Sequence, residues 1–165
     1  MGGELVEKTS LHESPDASRH ALKLQHRRSP TILIADRNPH VREFLGRELR
    51  AEGYEVRLAK NGREVLRWIY HYEPLDLVIL DPDLPDASDG PLLEKLNDRI
   101  PTLPVVVHAF GIDDAASYAG SLPVVFVEKA GNSIENLKKV VAEMLLKRRA
   151  RQSQGEGEEK SPMHP

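Results

Sequence analysis

A chain of 165 residues with 39% hydrophobic and 30% charged side chains has room for one ordinary globular core plus tails, and a second full domain is not expected. No apolar run approaches the ~18 residues that cross a bilayer. The start, Met1-Gly2-Gly3-Glu4, lacks a basic region followed by an apolar stretch, and there is no cysteine, so disulfide frameworks, thiolate metal sites and cysteine nucleophiles fall away and a cytoplasmic protein is expected. Within the net charge of −3, residues 31–146 carry six more acids than bases while both ends are mildly basic, and an acidic middle of that kind disfavours a nucleic-acid backbone as partner.

Residues 1–30 scatter Ser, His, Glu, Lys and Arg among isolated leucines, which buries too little apolar surface to offset chain ordering; they are expected to form a flexible arm. From 31 onward, short apolar runs alternate with amphipathic stretches. Thr31-Ile32-Leu33-Ile34-Ala35 reads as a strand, and Val41, Phe44, Leu45 and Leu49 recur at helical intervals between Pro39 and Glu52. Gly53 suits the left-handed position after a helix, and Tyr54 to Ala59 alternates like a half-buried strand. Asn61 is a plausible cap for a helix from 62 to about 72 built on Val65, Leu66 and Ile69. Asp76 to Leu80 is a third, wholly apolar strand after its first residue. A loop over 81–90 and a short helix opened by Pro91 follow. Pro104 to His108 gives a fourth strand, 112–120 a weak helix, Val124 to Val127 a fifth strand, and Ser133 to Arg149 a last helix. Residues 150–165, rich in Gly, Glu and Ser, are expected to be a disordered tail, leaving 31–149 as the domain.

Five apolar strands separated by helices demand parallel pairing with helices on both faces, hence a doubly wound α/β sandwich. Ligands in such folds gather at the carboxyl ends of the strands. Those ends carry Asp36, then Asp81 and Asp83, then Ala109, then Glu128-Lys129. One aspartate at a strand end is commonly a cap or turn former. Three carboxylates and a lysine converging on one crevice form a chemically meaningful set, because hard oxygens suit Mg²⁺ and an ammonium suits a phosphoryl oxygen.

Ile32-Leu33-Ile34-Ala35-Asp36-Arg37-Asn38-Pro39-His40-Val41-Arg42 resembles the opening of bacterial response-regulator receiver domains, and Leu77-Val78-Ile79-Leu80-Asp81-Pro82-Asp83-Leu84-Pro85-Asp86 resembles their phosphoacceptor strand and loop. Asp89-Gly90 stands for the family's Asp-Gly one residue late, and Gly53 to Val56 and Ala59 to Leu66 match the intervening helix-strand-helix pattern. The resemblance spans residues 31–147. It implies a flavodoxin-like, CheY-like (βα)5 sheet of order 2-1-3-4-5 and a cytoplasmic signalling domain of a two-component phosphorelay, not an enzyme.

Carried over by position, the resemblance makes Asp81 the phosphoacceptor, Lys129 its phosphoryl contact, Phe126 the aromatic switch, and Asp36, Asp81 and the Asp83 backbone carbonyl the ligands of Mg²⁺. An anionic nucleophile attacking an anionic phosphoryl group needs cations around it, so the set is coherent. Three departures stand beside it. Arg37 fills the second acidic position, so Mg²⁺ should bind weakly or not at all, and its guanidinium either reaches Asp81 in place of metal or turns to solvent. Ala109 sits where the family keeps a Ser or Thr hydroxyl, which weakens coupling to conformational change. Ala130 replaces the proline after the lysine.

The expectation is therefore a stand-alone, atypical receiver with a degraded metal site, acting through protein-protein contacts with a histidine kinase or other signalling protein. The surface of the fourth helix, fifth strand and fifth helix would be its homodimer or docking face. Asp81-Pro82-Asp83 also resembles the nucleophile motif of haloacid-dehalogenase-type Mg²⁺-dependent phosphatases, with Gly111-Ile112-Asp113-Asp114 as their later acidic motif; that family opens on the nucleophile strand, whereas two strand-helix units precede it here. Lys147-Arg148-Arg149-Ala150-Arg151 reads as a solvated, dipole-complementing helix end, the seven histidines as surface residues with His108 the one candidate for burial, and Trp68 with Tyr72 as packing.

Overall fold

The computed structural model describes residues 28–71, 73–86, 91–98, 102–111 and 123–155. The helix expected at 112–120, Tyr72, Asp89-Gly90, Asp113-Asp114, most of the amino-terminal arm and the tail beyond 155 lie outside them. The described elements are β1 (Thr31–Ala35), α1 (Pro39–Ala51), β2 (Glu55–Ala59), α2 (Gly62–Tyr70), β3 (Leu77–Leu80), α3 (Pro91–Asp98), β4 (Val105–Ala109), β5 (Val124–Glu128) and α4 (Ser133–Gly155). All strands are parallel, in the order β2-β1-β3-β4-β5.

Burial follows this order. The inner strands β1 and β3 are buried throughout, while the edge strands β2 and β5 mix buried, partly buried and exposed residues. Period-two alternation divides the inner strands between two cores. Leu33, Val78, Val105 and Val107 pack with Val65 and Ile69 of α2 and Leu92 and Leu96 of α3. Ile32, Ile34, Ile79 and Val106 pack on the other face with Leu45 and Leu49 of α1 and Leu137, Val141 and Met144 of α4. Lys138 ties α4 to α1 through Glu48 at 3.1 Å and Glu52 at 3.3 Å. Trp68 packs against the first core, as its spacing suggested, with the Arg57 guanidinium 5.6 Å from the ring centroid.

Local chemistry sets the helix ends. Asn38 caps α1 by accepting from His40 N at 2.9 Å, with Pro39 at the first helical position. Gly53, at φ 90°, stops α1 in the left-handed region; its N–H donates to Arg50 O while Tyr54 N donates to Leu49 O. Asn61 caps α2 through Glu64 N at 2.9 Å, and Glu64 reaches back to Lys60 N. Gly62 is required by close approach: a Cβ there would lie 3.0 Å from Asp86 O. Its N–H donates to Pro85 O at 2.9 Å, which holds the loop after β3 against α2.

Two boundaries differ from expectation. The last helix runs to Gly155 rather than stopping at Arg149. Ala150, Arg151, Gln152 and Gln154 are good helix formers, and Ser153 Oγ donates back to Arg149 O at 3.1 Å, so propagation past an established helix overrides the low hydrophobicity that had grouped them with the tail. At the other end, Arg28 and Pro30 are tied to the sheet rather than lying in a flexible arm. The Arg28 guanidinium donates to both Asp76 carboxylate oxygens at 2.7 and 3.0 Å, and Pro30 O accepts from Glu55 N at 2.9 Å. No helix among the described residues is long and apolar enough to cross a membrane.

Candidate functional site

Backbone geometry brings the strand ends together before any side chain contributes. Asp36 N donates to Ala59 O and Asp81 N to Ala35 O, so the first residues beyond β1 and β3 continue the sheet ladder to one level. Both carboxylates are buried there, at 2% and 1% exposure. Lys129 arrives from the end of β5, where its N–H donates to Ala109 O, and its Nζ lies 2.8 Å from Asp36 Oδ2 and 3.5 Å from Asp81 Oδ2. The three residues read from the sequence as acid, acid and lysine therefore meet in one crevice.

Arg37 joins them. Its backbone N–H donates to Asp81 Oδ2 at 3.3 Å, its Nε lies 3.8 Å from the same oxygen, and its Nη2 lies 3.5 Å from Asp83 Oδ2. Of the two orientations the sequence left open, the side chain takes the one toward Asp81. Asp83 N donates to Asp81 Oδ1 at 3.0 Å, so the chain after β3 wraps the carboxylate, while the Asp83 side chain stands half exposed against Arg37.

Phe126 and Ala109 lie on the flank of the first core, both partly buried. The β4–β5 ladder pairs Val107 with Phe126, His108 with Val127 and Ala109 with Glu128 without interruption. Ala109 thus brings a methyl group, and no hydroxyl, to the level of the site.

Three further residues join the site that the sequence reading does not assign to it. Arg42 donates through Nη1 to Asp36 O at 2.7 Å and Arg37 O at 3.1 Å, clamping the loop between β1 and α1. A cation in the first turn opposes the helix dipole, which was the available signal that Arg42 has a specific partner. Phe110, an exposed aromatic just past β4, lies over Lys129 with its ring centroid 5.2 Å from Nζ. His108 is buried, and neither ring nitrogen has a hydrogen-bond partner among the described residues. Burial and the Lys129 ammonium push it down to about 4, against the opposing pull of Asp36 and Asp81, so it is neutral at pH 7.

The acids that the resemblance assigns to a magnesium ion are met by protein donors in this structure. Mg²⁺ demands near-octahedral oxygens at ~2.1 Å. Here Asp36 Oδ1 accepts from Asn38 N and Oδ2 from Lys129, Asp81 Oδ1 accepts from Asp83 N, and Asp81 Oδ2 faces Arg37 and Lys129. Each carboxylate oxygen is already engaged, and a permanent cation fills the second acidic position.

Comparison with known proteins agrees with this arrangement of strands. Residues 32–141 match the response regulator receiver domain. The DNA-binding transcriptional regulator NtrC of Bradyrhizobium sp. is 40% identical over 77 residues, which is 47% of this chain and 16% of that protein. The response regulator protein TrrA of Thermotoga maritima, solved in complex with Mg²⁺-BeF, superposes with a TM-score of 0.60 at 29% identity, covering 70% of this chain and 98% of that one. A CheY-like receiver domain protein from Methanospirillum hungatei shares the fold at a TM-score of 0.63 and 24% identity, over 74% of this chain and 99% of its own. The chain spans less than half the length of several curated relatives that it matches. The family match runs from Ile32 in the first strand to Val141 in the last helix, more than half of the chain: the chain belongs to the response regulator receiver domains.

Proposed function

We propose that this receiver is an atypical one, in which Arg37 and Lys129 balance the buried carboxylates in place of a metal ion, and that it signals through protein-protein contacts with a histidine kinase or another two-component protein. Asp81 holds the phosphoacceptor position. The observation that carries the reading is the approach of Arg37 to Asp81 at 3.8 Å and to Asp83 at 3.5 Å, together with the 2.8 Å pair between Lys129 and Asp36. Two cations set among these acids supply the neutralisation that Mg²⁺ would bring, and they oppose its entry by charge repulsion. Ala109 supports the same reading, because no hydroxyl is there to follow a phosphoryl group.

A phosphatase acting through Asp81 and Asp83 has no observation in its favour, since the Asp83 carboxylate is turned to Arg37. The docking or dimer face expected around the last strand and last helix includes residues 112–120, outside the described part of the chain.

The test is the mass of the protein after incubation with Mg²⁺ and a small acyl-phosphate donor, alongside Asp81→Asn and Arg37→Asp. No phosphoryl-sized increment on the wild type, but one on Arg37→Asp, is the expected result. An increment on the wild type that Asp81→Asn abolishes would establish an ordinary phosphoacceptor and overturn the arginine-blocked site.

A further inference from the structure

At the opposite edge of the sheet from the acidic crevice, the amino ends of β4 and β5 and the carboxyl half of α4 enclose a cleft of about 560 Å³. Its apolar wall is Pro104, Pro123, Val124, Val125 and Met144, and its basic wall is Lys147, Arg148 and Arg151. Two features make it a built surface. β5 is the edge strand of the sheet, and the apolar side chain of Val125 on it is 37% exposed. Met144, Lys147, Arg148, Arg151 and Gln152 also share one face of α4 at helical spacing, so the cations form a line that runs from the apolar wall toward Gly155. Arg148 is anchored to Asp76 O at 3.0 Å, whereas Lys147 and Arg151 form no ion pair among the described residues.

We infer that this cleft is the docking site of the chain's own acidic segment, Glu156-Gly157-Glu158-Glu159, with Pro162-Met163 seated on the apolar wall. Charge complementarity and reach both select this occupant. The segment begins one residue after α4 ends and carries three carboxylates against the three cations of the cleft, with Gly155 and Gly157 at the point where the chain must reverse. From Met144 to Gly155 the helix rises roughly 17 Å at about 1.5 Å per residue. Eight residues from 156 to 163 extend to roughly 26 Å at about 3.3 Å each, enough to turn and reach the far wall. The order of residues fits the order of the surface: acids first, opposite Arg151, Arg148 and Lys147, then Pro162 and Met163 opposite Met144 and Val125. Tethering raises the effective concentration of the segment to about the millimolar range, so a weak intrinsic affinity suffices.

The absence of cysteine permits a clean test on the full chain. A nitroxide on Ser161→Cys should broaden the amide resonances of Val105, Val124 and Val125 at low ionic strength. The broadening should be lost near 1 M salt, where the Debye length is about 3 Å, and lost in Lys147→Glu/Arg151→Glu. It should return when that pair is combined with Glu156→Lys, Glu158→Lys and Glu159→Lys. Absence of broadening in the wild type, or broadening that persists unchanged in the charge-reversed pair, would overturn the inference. So would broadening seen only when spin label and isotope label are on different molecules, which would assign the cleft to a second copy.

Discussion

At the carboxyl edge of the sheet Asp36 and Asp81 are withdrawn from solvent and met by Lys129, whereas at the amino edge Lys147 and Arg151 stand exposed beside a cleft walled by Pro104, Pro123 and Val124. The same residue chemistry carries different energies in the two places. A buried carboxylate cannot be rehydrated if its partner is removed, while an exposed cation is already solvated and screened. The carboxyl edge is therefore organised by obligatory pairing, and the amino edge is free to exchange partners.

The sharpest way to break that contrast is Lys129→Met. It leaves two buried carboxylates with Arg37 alone, and a loss of about 3–5 kcal/mol in urea denaturation is expected. A loss under about 1 kcal/mol would mean that water reaches the pair and that the two edges do not differ.

His108 gives the next largest effect, through pH. Its folded-state value of about 4 lies below the ordinary 6.5, so between these limits the unfolded chain binds more protons than the native one. Stability is complete above pH 6.5 and falls as pH drops toward 4, by about 3 kcal/mol at 1.36 kcal/mol per pH unit. The measurement is a urea midpoint series over this range. His108→Leu should flatten that part of the slope; an unchanged slope would place the titration elsewhere.

Arg37→Asp separates stability from function at the same edge. Arg37 is half exposed, so folding stability should change by no more than about 1 kcal/mol, yet calorimetric titration should gain a Mg²⁺ binding isotherm absent from the wild type. At the amino edge, Lys147→Glu/Arg151→Glu should shift stability least, within about 0.5 kcal/mol for each exposed substitution. A larger loss would show that the cleft cations hold the fold itself.

Much of this is legible in the sequence. The apolar runs at 31–35, 77–80 and 105–107 could bury only as inner parallel strands, which brings Asp36 and Asp81 to one edge, and a fifth strand parallel to them adds Lys129 there. Less legible were features that depend on partners far along the chain. Arg28 looked like part of a polar arm because its carboxylate partner, Asp76, is 48 residues away. The end of the last helix lies six residues beyond Arg149, because composition groups 150–155 with the glycine- and glutamate-rich stretch while a helix already running into them propagates on.

The sequence by itself determined the order of elements and the identity of the charges that meet at the strand ends, because hydrophobic periodicity and short crossovers leave one economical way to stack five parallel strands. Only the tertiary structure decided the direction of the Arg37 side chain, the neutrality of His108 beside Lys129, and the enclosure of a cleft between β5 and α4. Each of these depends on which groups lie within a few ångströms across separate elements. Local propensity carries no information about that distance.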